Sequence, residues 1–177
     1  GKTTISLEEL GCYIDPTIYS DNEALNREVD SLNKMTAASI TYTFGSRTEV
    51  VDRTLIKGWL VRGDDGTYSL DTDQVAAYVK ELAMKYDTFG LSHQFTKHDG
   101  STITLKAGGD YGWCINKTAT SDALVQAIND GVAESREPVY LYTAKSREEN
   151  DIGGTYVEIS IQEQRMWCFK DGSLIVD

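Results

Sequence analysis

The chain has 177 residues, of which 40% are hydrophobic, 25% charged and 10% aromatic, a balance typical of a folded domain rather than of a disordered or fibrous chain. With 17 Lys and Arg against 28 Asp and Glu, the net charge is -11, which disfavours nucleic acid and anionic membrane surfaces as partners. No apolar run approaches the roughly 18 residues that a membrane helix needs, so we expect no membrane contact. The first residues, Gly1 to Thr4, show no signal peptide and are typical of an internal or trimmed end.

Three helices are predicted where capping residues precede apolar residues at steps of three and four. The predicted starts are the capping-box spacing of residues 20–23, Asp71 with Gln74, and Thr120 or Ser121, and the third helix ends at Gly131. The apolar faces are Leu25, Val29, Leu32 and Met35, then Val75, Tyr78, Val79, Leu82 and Tyr86, then Ala123, Leu124, Ala127 and Ile128. A short helical turn over residues 55–60 is expected to cover the first hairpin.

Antiparallel strands are predicted wherever apolar and polar residues alternate around tight turns. The alternating segments are 40–44 with 48–51 around Gly45 and Ser46, Phe95 with 103–105 around residues 98–101, residues 111–115 through Tyr111, Trp113 and Ile115, and Val139 to Thr143. We therefore predict an α+β fold in which three helices pack on antiparallel strands.

The C-terminal part of the chain has a different character. Residues 144–154 are charged and contain glycines, the most linker-like composition in the chain. Beyond them Val157, Ile159 and Ile161 alternate with polar residues, and a turn at residues 170–173 continues a strand meander. Because so short a meander is marginal alone, we expect it to dock on the preceding domain or to pair with a second copy.

Several stretches carry a resemblance to a known family. The segments LNKMTAASITYTFG, LIKGWL, VAAYVKELAMKYDTFG, GGDYGWCINK and REPVYLYTAKSREENDIGGTYVEI resemble, in order and spacing, the peptidoglycan-binding domain that precedes L,D-transpeptidase catalytic domains in Gram-positive bacteria. The tail TYVEISIQEQRMWCFKDGSLIVD resembles the opening strands of that catalytic domain. The implied organisation is a peptidoglycan-binding domain at 12–143, a linker at 144–154, and the first strands of a truncated catalytic domain at 155–177.

The resemblance also carries an expectation about catalysis. The family acts through a cysteine in a Ser-His-Gly-Cys-like motif with a histidine base, placed well after the opening strands. The residues before Cys12, Cys114 and Cys168 do not match that motif. We therefore expect this chain to be catalytically inert, although its parent protein is expected to be an L,D-transpeptidase. The implied partners are peptidoglycan and the missing catalytic domain, and the implied location is extracellular, at the cell wall.

The three cysteines and two histidines are the other residues that could form a reactive site. The three cysteines lack C-x-x-C spacing, so no metal, redox or cofactor site is predicted, and each is interpreted as a small buried hydrophobic residue. Solvent exposure is the simpler expectation for both His93 and His98. A spatial pairing of Cys114 with His93 is the alternative, since an imidazole beside a thiol can activate it.

Four aromatic residues are the candidate ligand contacts: Trp59, Tyr86, Tyr111 and Trp113. Aromatic rings offer flat apolar faces to sugars, but the same spacing is also typical of core packing. An exposed aromatic cleft would favour a cell-wall binding module, and complete burial of Trp59, Tyr111 and Trp113 would favour a spacer that positions the catalytic domain. Because the net charge is -11, wall binding is expected to depend on shape and hydrogen bonds rather than on charge.

Overall fold

The computed structural model describes Gly11 and residues 17–64, 66–148 and 150–176, and Cys12, where the first domain is predicted to begin, lies outside them. The helices of the described part are Glu23–Ala37 (α1), Arg53–Gly58 (α2), Thr72–Tyr86 (α3) and Lys117–Asp130 (α4). Its strands are Ser39–Phe44 (β1), Arg47–Val51 (β2), Leu60–Arg62 (β3), Tyr68–Leu70 (β4), His93–Thr96 (β5), Thr102–Leu105 (β6), Cys114–Ile115 (β7), Ala133–Arg136 (β8), Tyr140–Tyr142 (β9), Tyr156–Ser160 (β10), Arg165–Lys170 (β11) and Ser173–Val176 (β12).

The α+β class is confirmed, with two corrections to the predicted architecture. The described residues contain four helices rather than three, because the turn expected near Leu55 is the short helix α2, capped by the Asp52 side chain. The strands are not all antiparallel, since β1 pairs antiparallel with β2 but parallel with β8. The remaining sheets are β3 with β4, β5 with β6, β7 with β9, and the β10-β11-β12 meander.

The core forms around β1, which lies in the centre of its sheet. Ile40, Tyr42 and Phe44 alternate along this strand and are fully buried, as strict period-two patterning predicts. The apolar faces of α3 and α4 complete the core. By contrast, Leu25 and Val29 at the start of α1 are exposed, so only the C-terminal half of that predicted face is packed.

Helix starts differ from prediction where a side chain has another partner. The predicted cap of α3 is confirmed, because the Asp71 carboxylate accepts hydrogen bonds from the N–H groups of Asp73 and Gln74. The start of α4 was misplaced: Asn116 caps it, while the Thr120 hydroxyl exchanges hydrogen bonds with the backbone of Val139. Similarly, Asn22 rather than Ser20 caps α1.

The predicted strand through Tyr111 is shortened to β7. Gly112 has a φ of +127°, and a Cβ atom at this position would lie 2.5 Å from the Phe89 nitrogen. The backbone therefore crosses residues 88–90 closely, and the Trp113 carbonyl accepts hydrogen bonds from the N–H groups of Thr88 and Phe89. This crossing fixes where the side chains of Tyr111 and Trp113 lie.

The C-terminal meander docks on the β5–β6 hairpin, which is one of the two outcomes that the sequence predicts. The His98 N–H donates to Glu158 Oε2 at 2.8 Å, and His98 Nδ1 lies 2.9 Å from Oε1 of the same carboxylate. The His98 ring also stacks on Trp167 with a centroid distance of 3.5 Å. The expectation of a solvated His98 is therefore wrong, because the meander covers it.

Candidate functional site

Arg147 lies in a cage of aromatic rings, although the sequence predicts a linker around it. Its guanidinium carbon is 3.8 Å from the Trp113 ring centroid, 4.8 Å from that of Tyr140 and 5.4 Å from that of Phe44. Nη1 donates a hydrogen bond to the Tyr86 carbonyl at 3.1 Å. Stacking of a weakly hydrated guanidinium on aromatic faces is favourable, so the cage anchors the segment after residue 144 to the core.

Further contacts hold the same segment in place. The Trp113 indole N–H donates to the Ser146 carbonyl at 2.6 Å. The Ser146 N–H in turn donates to the carbonyl of Asp151. Residues 144–154 are thus folded onto the preceding elements, while the position of a domain boundary near Ala144 stays a prediction.

Asp151 connects this segment to the two loops beside it. The residue is 3% exposed, and its Oδ2 accepts a hydrogen bond from the Thr88 hydroxyl at 2.6 Å. Its Oδ1 lies 3.2 Å from His93 Nδ1 without hydrogen-bond alignment, so this contact is an ion pair only when the imidazole is protonated. The expectation of an exposed His93 is therefore wrong, because Asp151 and its neighbours cover most of the ring.

A cleft of about 560 Å³, here called the Tyr111 cleft, opens between the β5–β6 hairpin and the start of β10. Its lining residues are Leu91, His93, Leu105, Lys106, Gly109, Tyr111, Lys145, Ile152, Thr155 and Tyr156. A second cavity of about 540 Å³ shares Leu105, Ile152 and Tyr156 with it and continues towards Glu158. The two together form a groove with an apolar floor, the usual form of a small-ligand site.

The four aromatic candidates occupy different environments, and Tyr111 alone lines this cleft. Tyr111 is 40% exposed, and its hydroxyl donates to the Asp151 carbonyl and accepts from the Lys145 N–H. Trp113 is half-buried beneath Arg147. Trp59 and Tyr86 are 5% and 4% exposed and belong to the core, where Tyr86 stacks on Phe44. A ligand role for any of the four stays a prediction.

Sequence reasoning missed most of the cleft lining. The predicted β5–β6 turn does place His93 opposite Leu105, so this part of the wall was available from the hairpin pattern. Lys145 and Tyr156 reach the cleft only because Arg147 and Asp151 fix the intervening chain. No local sequence signal marks that arrangement.

The described cysteines, Cys114 and Cys168, are free thiols. Burial raises the pKa of the Cys114 thiol, and the negative charge of Asp87 raises it further. An activated nucleophilic cysteine needs the opposite shift. Within the described ranges there is also no His, Cys, Asp and Glu cluster suited to a metal ion, and no helix has the length and apolarity to cross a membrane.

Comparison with known proteins identifies the family. Residues 23–136, well over half of the chain, match the family model described as "Putative peptidoglycan binding domain". This chain belongs to that family. No curated protein matches the sequence.

Two solved structures share the fold of this family member. One is the Ldtfm-avibactam carbamoyl enzyme, with 30% identity and a TM-score of 0.64 over 85% of this chain. The other is a mutant L,D-transpeptidase from Enterococcus faecium, with 29% identity and a TM-score of 0.63 over 85% of this chain. The match covers 58% and 59% of those two chains, so this chain spans less than two thirds of either.

Replacing Arg147 should destabilise the protein strongly. We expect Arg147→Ala to lower the free energy of unfolding by about 2–4 kcal/mol, because both the cation–π contacts and the hydrogen bond to Tyr86 are lost. The stability of Arg147→Lys should lie between those of wild type and Arg147→Ala, since lysine keeps the charge without the planar group. Urea unfolding measures the effect. The control is Lys145→Ala at an exposed neighbouring position, which should change the free energy of unfolding by less than about 0.5 kcal/mol. An Arg147→Ala protein as stable as this control would contradict the prediction.

Asp87 gives a pH-dependent prediction. Burial raises the pKa of its carboxyl, more than the Ile115 N–H bond and the charges of Lys117 and Arg147 lower it. The folded state therefore holds the proton more tightly, so ionisation costs stability as pH rises from the ordinary Asp pKa through the raised one. Asp87→Asn still accepts from Ile115 and should unfold at higher urea than wild type at pH 7.

The advantage of Asp87→Asn should shrink as pH falls and disappear by about pH 3, where Asp87 is protonated in both the folded and unfolded wild type. Asp122→Asn removes an exposed carboxylate on α4 and controls for the change in net charge. A variant less stable than wild type at pH 7 would mean that attraction to Lys117 and Arg147 outweighs the cost of burial.

Proposed function

We propose that this chain is a non-catalytic peptidoglycan-binding module of an L,D-transpeptidase-like protein of the Gram-positive cell surface, and that it serves wall cross-linking. The family match over residues 23–136 is the observation that carries this proposal. The likeness to two L,D-transpeptidase structures supports the link to cross-linking. Extracellular placement at the wall is part of the same proposal.

The Tyr111 cleft is the proposed contact with the polymer. It combines an exposed tyrosine ring with an apolar floor, and its walls are fixed by the Asp151 and Arg147 contacts. A preorganised cleft of this kind loses little freedom on binding. Weak contacts suffice, because a module tethered beside an enzyme raises the local concentration of the polymer.

The proposed absence of catalysis in this chain rests on its two described thiols, Cys114 and Cys168. The raised pKa of Cys114 keeps it protonated near neutral pH, and His93 Nδ1 faces the Asp151 carboxylate at 3.2 Å. A cysteine nucleophile requires a thiolate and a neighbouring base. Neither Cys114 nor Cys168 has the expected sequence motif around it.

The chain should therefore leave a stem tetrapeptide unchanged. Mass spectrometry after incubation of the full chain with the peptide should show neither hydrolysis nor exchange of its terminal residue. The control is the same peptide without protein. Thiol-dependent turnover that is lost in Cys114→Ser would overturn the proposal of a non-catalytic module.

A spacer that positions the catalytic domain without touching glycan is the second candidate, and the docked meander favours it. Glu158 accepts from the backbone and faces the ring of His98, and Trp167 stacks on that ring. Phe95 adds an edge-to-face contact with Tyr156. These contacts would hold a following domain in a fixed orientation, whether or not the cleft binds a ligand.

Retention on purified sacculi separates the two candidates. We expect the chain to sediment with sacculi, and Tyr111→Leu to reduce retention by about threefold to tenfold, the range expected for loss of one aromatic contact. Tyr111→Phe keeps the ring but loses the hydroxyl bonds to Asp151 and Lys145, so its retention should lie between those of wild type and Tyr111→Leu. Tyr19→Leu removes an exposed tyrosine outside the cleft lining and serves as the control. Failure of the wild-type chain to sediment would favour the spacer.

A further inference from the structure

The Tyr111 cleft is basic in a protein that is strongly acidic. Its lining includes Lys106, Lys145 and His93, and no carboxylate side chain is among the lining residues. The chain as a whole has a net charge of -11. A cleft of the opposite sign on such a surface focuses the field on anions that reach it.

Neither cleft lysine has an acidic partner within the described residues. Three other lysines of the described residues do form ion pairs, since Lys85 contacts Glu49, Lys97 contacts Asp99 and Lys34 contacts Asp130. Lys106 and Lys145 are both exposed and form no such ion pair. Their ammonium groups are therefore available to an anionic ligand.

Two acidic groups that border the cleft are engaged elsewhere. Asp151 is almost fully buried. Its carboxylate accepts a hydrogen bond from Thr88 and faces His93. Glu158 belongs to the neighbouring cavity and is held by His98. Because no carboxylate side chain is in the lining and neither lysine forms an ion pair with a described residue, the lining itself carries a positive charge.

The rest of the lining indicates what kind of anion fits. Leu91, Leu105 and Ile152 form an apolar floor that suits alkyl groups, and Tyr111 adds an exposed ring. A short peptide that ends in a carboxylate supplies both alkyl side chains and the charge. A phosphate polymer supplies the charge without the alkyl groups and would leave the floor uncovered.

We propose that the Tyr111 cleft binds a peptidoglycan stem peptide through a free carboxylate, which pairs with Lys106 and Lys145 while alkyl side chains cover the apolar floor. The inference rests on the proposed function and names the part of the polymer that is recognised. It revises the expectation from net charge, because local charge complementarity makes binding sensitive to salt.

Titration of the full chain with a matched pair of peptides tests the inference. The probes are a stem tetrapeptide with free carboxylates and the same peptide with every carboxylate converted to an amide. We expect the free acid to bind at least about tenfold more tightly, since a charged hydrogen-bonded contact is lost in the amide. Added salt should weaken binding of the acid and leave that of the amide unchanged.

Variants assign the effect to the two lysines. Lys106→Gln with Lys145→Gln should remove the preference for the free acid. Lys57→Gln with Lys80→Gln makes the same change in net charge on exposed helical positions outside the cleft and should keep the preference. Thermal unfolding of each double variant checks that the fold is intact.

The outcomes distinguish this inference from the proposed function. Equal affinity for both peptides, an unchanged preference in the double cleft variant, or displacement of the acid by inorganic phosphate but not by acetate would each overturn the inference. Sedimentation with sacculi would leave the proposed function standing in those cases. Selective binding of the free acid without sedimentation would support the cleft assignment and count against a wall-binding role.

Discussion

The insertion of Arg147 between aromatic rings is the contact on which the candidate site depends. A charged side chain from a segment of linker-like composition fills a space bounded by Phe44, Trp113 and Tyr140. Gly45 leaves room for the arginine, because a Cβ atom at position 45 would lie 2.7 Å from the Arg147 Cβ. With the arginine fixed, the following residues reach the positions from which Asp151 links the loops around the cleft.

The charge of the Tyr111 cleft differs in sign from the net charge of the protein. The chain has a net charge of -11, whereas the lining of the Tyr111 cleft contains two lysines and no carboxylate, and the carboxylates of Glu158 and Glu163 lie in the adjoining cavity beside Lys97. Glu158 is held by His98, and Lys97 is paired with Asp99, whereas the two cleft lysines form no ion pair with a described residue. A ligand with one anionic end therefore has a preferred direction in the groove.

Helix capping and apolar periodicity predict most helices and strands of this protein, but they do not predict the candidate site. Helix α3 was predictable because its cap at Asp71 and its apolar spacing agree, and the β1–β2 hairpin because alternation and turn residues agree. The start of α4 was misplaced because Thr120 bonds the backbone of Val139, a partner distant in sequence. The site was missed for the same reason: a cation in a glycine-bearing charged stretch, Arg147, gives no local sign that its partners are aromatic rings.

The parallel pairing of β1 with β8 has a consequence for how the protein is made. Ser39 pairs with Ala133, so one edge of β1 keeps unpaired N–H and C=O groups until a segment almost a hundred residues later leaves the ribosome. At ordinary elongation rates that interval is roughly ten seconds. During it the β1–β2 hairpin is an open edge with an alternating apolar face, the form of strand that pairs with other chains. The order of synthesis therefore leaves this edge open to pairing with other chains until β8 emerges.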